Sequence, residues 1–380
     1  MKKKVLSALL SVAMVATLLV GCGSSNQSAP ADTAAPADTA ASADTAAPAD
    51  DQAAAPAEGA MHFEIVSKGF QHQYWQAVLK GAQNKADELG VTMNFVGPNS
   101  ESDIADQVQM LNNAINVNPN AIGLAALDTS ACLDAITAAQ NAGIPIVGFD
   151  SGVPGAPEGA IVANAATDNY AAGELAAEEA YKLIEEKLVA GTRIGVLSQD
   201  ATSESIVNRG LGFVDKMAEL VVAKGLSVNV EGNEKFVTDT KAEKTSGADV
   251  VIEVLVPSQV TSELSSIDCQ TLLNKKDTIC IYGSNQHSAE AMVTANENIG
   301  RLGQDVVGVG FDSGAVIKAA VADGTLSGAI TQAPVAMGEA VIDLLYKAAN
   351  GESVSDVDTG CQWFTAENMN NEEIAQNLYD

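Results

Sequence analysis

Aromatic residues are scarce, at 4% of 380 positions. Basic residues are scarce too: 20 Lys and Arg stand against 49 Asp and Glu, a net charge of -29. The first 21 residues hold Lys2, Lys3 and Lys4 and no acid, so a chain starting at Cys22 carries -29 - 3 = -32. No basic patch stands ready to pair with phosphate, which argues against nucleic acid or an anionic bilayer surface as partner. The acidic excess reads as a solvated exterior. No Asp-rich loop of the EF-hand pattern occurs, and Cys132, Cys269, Cys280 and Cys361 have no paired metal spacing. No metal and no cofactor are expected. These four cysteines sit in apolar or helical context and read as buried free thiols, although an exported chain also permits disulfides. Beyond the N-terminus, no run is long and apolar enough to span a membrane.

The N-terminus reads as an export signal. Lys2 to Lys4 form its charged region and Val5 to Val20 its apolar region. It ends Leu19-Val20-Gly21-Cys22, which resembles the lipobox of bacterial lipoproteins, where the cysteine is lipidated. An ordinary signal peptide, or a single membrane span with an incidental cysteine, is the competing reading, although sixteen residues are short for a span. Residues 1–21 are thus expected to be a lipoprotein signal peptide, with Cys22 as lipid anchor. Gly23 to Ala60 repeats Ala-Asp-Thr with Pro30, Pro36, Pro48 and Pro56 and cannot build a core. Residues 22–60 read as a disordered tether, with a root-mean-square reach of roughly 35 Å for a flexible coil.

From Met61 the pattern changes to strand-helix alternation. Phe63 to Val66 is a short apolar run. A polar turn follows, Ser67 to Gln71, and then Trp75, Val78, Leu79, Ala82, Ala86 and Leu89 recur at helical spacing up to Gly90. The same rhythm runs on. Strands are expected at Val91–Val96, Ala121–Ala126, Ile146–Phe149, Ala160–Asn164, Arg193–Leu197, Val250–Val256, Thr278–Tyr282, Val306–Phe311 and Leu326–Thr331, with helices between them. One of these helices starts behind a Ser102 cap. Gly225 to Gly247 is polar and weakly patterned, and reads as a long excursion. The length and rhythm predict an α/β chain with two similar, doubly wound parallel-sheet lobes.

One internal echo stands out. Gly148-Phe149-Asp150-Ser151-Gly152 recurs as Gly310-Phe311-Asp312-Ser313-Gly314, each copy just past an apolar strand. Asp-Ser-Gly is ordinary turn chemistry, but five identical residues at equivalent points suggest two lobes that each present one carboxylate. Ligands of parallel sheets bind at the carboxyl ends of strands. His72, Tyr74 and Trp75 stand at such an end, as do Asn285 and Gln332, while Arg209 lies on the helix after Arg193–Leu197. Aspartates accept hydroxyl protons, Arg, Asn and Gln donate, and aromatic rings cover C–H faces, a set that suits a sugar. Each has a blander reading: Arg209 as a surface charge, Asn285 as a helix cap, Tyr74 and Trp75 as helix core.

These residues carry a resemblance. With KGAQNKADELG, NAGIPIVGFDSG, ATDNYAAGELAAE, NRGLGF, YGSNQ, VGVGFDSG and DGTLSGAITQAP, the chain from Met61 resembles the ribose-binding-protein-type solute receptors of bacterial ABC sugar importers (type I periplasmic binding protein fold). The resemblance implies a clamp with three hinge crossings, near Thr167-Asp168, Gln332-Ala333 and Gly360-Gln362. One lobe would be 61–166 plus 333–360, the other 167–332 plus 361–380. It puts ligand positions on His72, Tyr74, Trp75, Asp150, Ser151, Arg209, Asn285, Phe311, Asp312 and Gln332. Two positions depart from the ribose receptors: His72 replaces a usual asparagine, and Ser151 a usual arginine. Losing that bidentate donor leaves space and favours a hexose over ribose. The implied function is capture of a monosaccharide outside the cytoplasm and delivery to the permease subunits of an ABC transporter, by a monomer tethered to the membrane through Cys22. A sensor feeding a chemoreceptor or kinase is the alternative. A glycosidase using Asp150 and Asp312 as its carboxylate pair is the enzymatic rival; the echo makes the two equivalent rather than differentiated as acid and base.

Overall fold

The computed structural model describes residues 59–70 and 72–380. The expected signal peptide, Cys22 and the tether as far as residue 58 lie outside the described residues. Among the described residues, no helix is long and apolar enough to cross a membrane.

The chain builds its first lobe as β1 (His62–Val66), α1 (Gln73–Leu89), β2 (Thr92–Val96), α2 (Ile104–Val117), β3 (Ala121–Leu124), α3 (Leu133–Asn141), β4 (Ile146–Phe149) and β5 (Ile161–Ala166). The second lobe follows as α4 (Asn169–Ile184), β6 (Thr192–Leu197), α5 (Glu204–Ala223), β7 (Val228–Gly232), α6 (Glu234–Asp239), β8 (Val250–Leu255), α7 (Ser262–Asn274), β9 (Thr278–Gly283), α8 (Gln286–Ile299), β10 (Val307–Phe311), α9 (Ala315–Ala322) and β11 (Gly328–Gln332). Four short or returning pieces finish the chain: α10 (Pro334–Ala349), β12 (Val357–Asp358), β13 (Cys361–Phe364) and α11 (Glu372–Ala375).

Two sheets result, ordered β12-β5-β4-β3-β1-β2 and β13-β11-β10-β9-β6-β8-β7. Every pairing is parallel except that of β13 with β11. The central strands AIGL, IVGF and VGVGF are buried at every position. Such unbroken apolar runs mark strands covered on both faces. The chain passes between the sheets three times: after β5, after β11, and between β12 and β13. In each sheet the direction of winding reverses beside the first strand, between β1 and β3 and between β6 and β9. Crevices outside the carboxyl ends of strands at such points are where open α/β sheets hold ligands.

The lobes repeat one packing device. Helices α1 and α10 cross at Gly81 and Gly338, where an added Cβ would lie 1.9 Å from Val335 O and 2.0 Å from Val78 O. Helices α4 and α5 cross at Gly173 and Gly212, with 2.1 Å to Arg209 O and 2.1 Å to Tyr170 O. No side chain fits at these points, so the helix backbones touch.

Several expectations need correction. The stretch from Gly225 to Gly247 is not one excursion, because it contributes β7 and α6 to the second lobe. As an edge strand, β7 buries Val228 and Val230 and exposes the polar residues at its end, which blurs its period. Phe236 of α6 is fully buried against Gly210. Ser102 does not cap α2, whose N-cap is Asp103; its hydroxyl instead accepts the Val260 N–H at 3.0 Å. The strands β12 and β13 were not anticipated. Cys132, Cys269, Cys280 and Cys361 are free thiols, and burial pushes the Cys280 thiol up to about 12.

Candidate functional site

The two echoed aspartates occupy equivalent places. Asp150 follows β4 and Asp312 follows β10, and both have left-handed backbone, φ 57° and φ 70°. Short polar side chains tolerate that region better than most. In each case the aspartate N–H is held by the next strand, Asp150 by Ala165 O at 3.0 Å and Asp312 by Ile330 O at 2.6 Å. The carboxylates are thereby turned out of their sheets toward the space between the lobes.

Twelve residues enclose a small cavity there: Lys68, His72, Tyr74, Trp75, Glu101, Asp150, Ile206, Arg209, Asn285, Gln286, Asp312 and Gln332. Eight of the ten expected ligand residues are among them. Lys68 and His72 come from the loop after β1, Tyr74 and Trp75 from the first turn of α1, and Glu101 from the loop after β2. The other lobe supplies Ile206 and Arg209 from α5, Asn285 and Gln286 from the start of α8, and Gln332 from the end of β11.

Each aspartate has a cation and neutral donors. Asp150 Oδ1 accepts the Tyr74 hydroxyl at 2.8 Å. Its Oδ2 is ion-paired with Lys68 Nζ at 3.2 Å and accepts no hydrogen bond from any other group. Asp312 Oδ1 accepts Gln332 Nε2 at 2.6 Å, and its Oδ2 accepts the Gln286 backbone N–H at 3.0 Å. Arg209 stands 3.9 Å away from Asp312. Burial raises the Asp312 carboxyl above its usual range, against the opposing pull of Arg209, Gln332 and the Gln286 N–H. Burial alone would lower Lys68, but the Asp150, Glu101 and Asp200 carboxylates outweigh it and hold the amine above its ordinary value. Lys68 is therefore a buried cation. Tyr74 is pushed well up by burial and by the two aspartates, so it keeps its proton and donates.

Two expected residues stand behind the wall. Phe311 is fully buried, and the Arg209 guanidinium carbon lies 3.7 Å from its ring centre. That face supports the arginine. Arg209 is fixed further by Asn169 Oδ1 at 2.7 Å and Ser284 O at 2.9 Å. Ser151, also buried, accepts the Ser205 N–H from the opposite lobe at 3.2 Å. Trp75 does line the cavity, yet it is only 2% exposed and its indole N–H is held by Glu101 at 2.8 Å. It serves core and cavity at once.

Lys68, Glu101, Ile206 and Gln286 were not singled out by sequence. Lys68, Glu101 and Gln286 share a signal of position, since all three lie shortly past the carboxyl end of a strand, while Ile206 sits within α5. His287, one residue on, faces His72 across the cleft with ring centres 5.6 Å apart. Burial lowers the His287 pKa to about 4, helped by the neighbouring His72, and its ring is bonded to Ser265 Oγ at 2.8 Å. Among the described residues, no group of three His, Cys, Asp or Glu side chains is placed to hold a metal ion.

The lobes are closed on one another. Gly152 N–H donates to Glu204 Oε2 at 2.9 Å, Lys68 Nζ to Ser205 Oγ at 3.2 Å and Ala315 N–H to Gln73 Oε1 at 3.1 Å, all from one lobe to the other. The remaining cavity measures about 20 Å³, room for roughly one water.

A family model described as a periplasmic binding protein domain matches residues 63–353, most of the described chain. The chain belongs to the periplasmic binding protein family. Among named relatives of this periplasmic binding protein is the ribose import binding protein RbsB of Bacillus subtilis, 24% identical over 282 residues, 72% of this chain and 78% of that protein. The D-allose-binding periplasmic protein of Escherichia coli is 24% identical over 310 residues, 80% of this chain and 89% of that protein. An ABC transporter solute binding protein from Agrobacterium vitis, solved with bound D-fucose, is 31% identical and superimposes with a TM-score of 0.70, covering 84% of this chain and all of that one. These relatives are binding proteins and not enzymes, which sets aside the glycosidase reading of Asp150 and Asp312.

Proposed function

We propose that this chain captures a monosaccharide between its two lobes, outside the cytoplasm, and delivers it to the permease subunits of an ABC transporter. The observation that carries the reading is the pair of aspartates facing one cavity from opposite lobes. Asp150 Oδ2 is buried with only the Lys68 ammonium beside it, so it has acceptor capacity left for a sugar hydroxyl. Lys68, Arg209, Asn285 and Gln332 are buried around the same space and supply donors in return. A ligand that touches both lobes stabilises the closed form over the open one. The closed cavity is smaller than a sugar ring, so the ligand enters by parting the lobes and replaces some of the contacts that now cross the cleft. Hinge bending at the three crossings would divide 61–166 plus 333–360 from 167–332 plus 361–380. Ser151 in the place of an arginine favours a hexose over ribose. A lipid on Cys22 and the tether of 22–60 would keep the monomer beside its transporter.

The reading is tested by a thermal-shift screen of the protein against aldohexoses, pentoses and polyols, since a ligand bound only to the native state raises Tm with concentration. At least one neutral monosaccharide is expected to raise it. A panel without any shift would sink the sugar assignment. Uptake of that sugar in cells carrying the chain with and without Cys22→Ala then tests anchoring and delivery.

A further inference from the structure

Glu101 spans more of the closed junction than any one ligand contact requires. Its side chain is buried and both of its oxygens are taken. Oε1 accepts the Trp75 indole N–H at 2.8 Å, and Oε2 accepts Gln199 Nε2 from the opposite lobe at 2.8 Å. Gln199, 1% exposed, passes the linkage on by accepting Asn285 Nδ2 at 2.6 Å. One carboxylate thus ties an aromatic wall of the first lobe to a polar wall of the second. Glu101 also lines two spaces, the closed cavity and a cleft of about 590 Å³ that Gln199, Asp200 and Thr202 line on the far side. Glu101 stands between them, with Gln199 bonded to it on the side of the larger cleft. Burial would raise the Glu101 pKa, but His72, Lys68 and the Trp75 and Gln199 donors outweigh it, so the group stays ionised.

Resting on the sugar-clamp reading, we propose that Glu101 and Gln199 form the gate of the cavity: a positioning pair that orients Trp75, latches the lobes and sets how long a ligand stays inside. The chemistry makes the gate specific to a carboxylate. Both groups bonded to Glu101 are donors, and a carboxylate accepts from both. A carboxamide has one acceptor oxygen, so it leaves a donor facing its own NH2 group.

The test uses the full chain with D-fucose, D-allose and D-ribose as probes, read by stopped-flow fluorescence, and small-angle scattering without any sugar. Glu101→Gln is expected to raise the ligand dissociation rate about tenfold, the scale of one charge-assisted hydrogen bond across the junction, while the association rate changes far less. It should also enlarge the radius of gyration of the free protein. Gln199→Glu alone should do the same, since it sets a second carboxylate against Glu101 and against Asp200, which now lies 3.3 Å from Gln199 Nε2. The double variant Glu101→Gln/Gln199→Glu reverses the polarity of the latch. The carboxamide at 101 accepts from Trp75 and donates to 199, and the carboxylate at 199 still accepts from Asn285. It relieves the clash with position 101 but not the one with Asp200, so its dissociation rate should fall clearly below that of Gln199→Glu alone. A merely structural role would move Tm in all three variants without this recovery. Dissociation rates within twofold of wild type in the singles, or a double variant no better than Gln199→Glu alone, overturn the gate. If wild type binds no probe, the sugar reading is what has failed, and the scattering of the same variants still decides the gate: expansion in the singles, smaller in the double than in Gln199→Glu alone, supports it, and unchanged scattering overturns it.

Discussion

The pair of Asp150 and Lys68 allows stability and binding to be separated. Both side chains are almost completely buried, 4% and 5% exposed. Asp150→Asn keeps the shape and an acceptor for Tyr74, but it removes the charge nearest to Lys68. The other anions facing the amine are Glu101 and Asp200, and its remaining hydrogen bond is to Ser205. Removing one partner of a buried ion pair costs about 3–5 kcal/mol, and the Glu101 and Asp200 charges place the expectation at the lower end. At roughly 2–4 °C per kcal/mol for a domain of this size class, Tm should fall on the order of 10 °C. Lys68→Met/Asp150→Asn deletes both charges at once, and replacing such a pair is often neutral or stabilising. The double variant should therefore return to within about 1 kcal/mol of wild type. Its affinity should not return, because the acceptor at Asp150 Oδ2 is gone; a charge-assisted hydrogen bond is worth about 1.5–3 kcal/mol, or roughly 10- to 150-fold. Differential scanning calorimetry reads the first quantity, and titration with the best sugar of the thermal-shift panel reads the second. A single variant that melts within about 2 °C of wild type would refute the buried ion pair. A double variant that regains affinity would refute Asp150 as a ligand group.

Three further outcomes are expected. His287 has its pKa lowered to about 4 by burial, below the unfolded value near 6.5, so the stability of its neutral form is complete above about pH 6.5 and is lost as pH falls toward 4. The loss is on the order of 3 kcal/mol, and Tm measured from pH 7 to pH 4.5 should fall less steeply in His287→Gln. Gly173→Ala places a methyl against Arg209 O, drives α5 from α4 and displaces the guanidinium; a loss of about 1–3 kcal/mol in denaturant unfolding should accompany weaker sugar binding. Arg209→Lys keeps the charge but loses the flat stacking on Phe311 and the fork onto Asn169; circular dichroism should be unchanged while titration shows affinity down at least about tenfold.

How far the sequence is legible depends on how local each signal is. The central strands are continuous apolar runs, so the alternation of strand and helix was readable, as was the pair of lobes. The Gly-Phe-Asp-Ser-Gly echo was readable because five residues repeat in one place, and its two aspartates share backbone conformation as well as position. The rule that ligand groups cluster past strand ends pointed to His72, Asn285 and Gln332, which line the cavity. Glu101 and Gln199 were not legible, because 98 positions separate them and each sits alone in an ordinary polar loop. Lys68 stood inside the turn that was recognised, but nothing local says that its amine turns toward Asp150. Phe311 is a ligand position by resemblance alone, and no local pattern announces that Arg209 lies on its ring. The strands β7, β12 and β13 are short or lie at sheet edges, where one exposed face weakens the period that identifies a strand.

The account stands most directly on isothermal titration of the wild-type protein, Asp150→Asn and Asp312→Asn with neutral monosaccharides. It predicts one-to-one binding of at least one such sugar to wild type, weakened at least about tenfold in each variant, because each lobe contributes one carboxylate to the same ligand. Wild type without measurable heat for any sugar at millimolar concentration, or variants that bind as tightly as wild type, would contradict the claim that the two lobes close on a sugar held between Asp150 and Asp312.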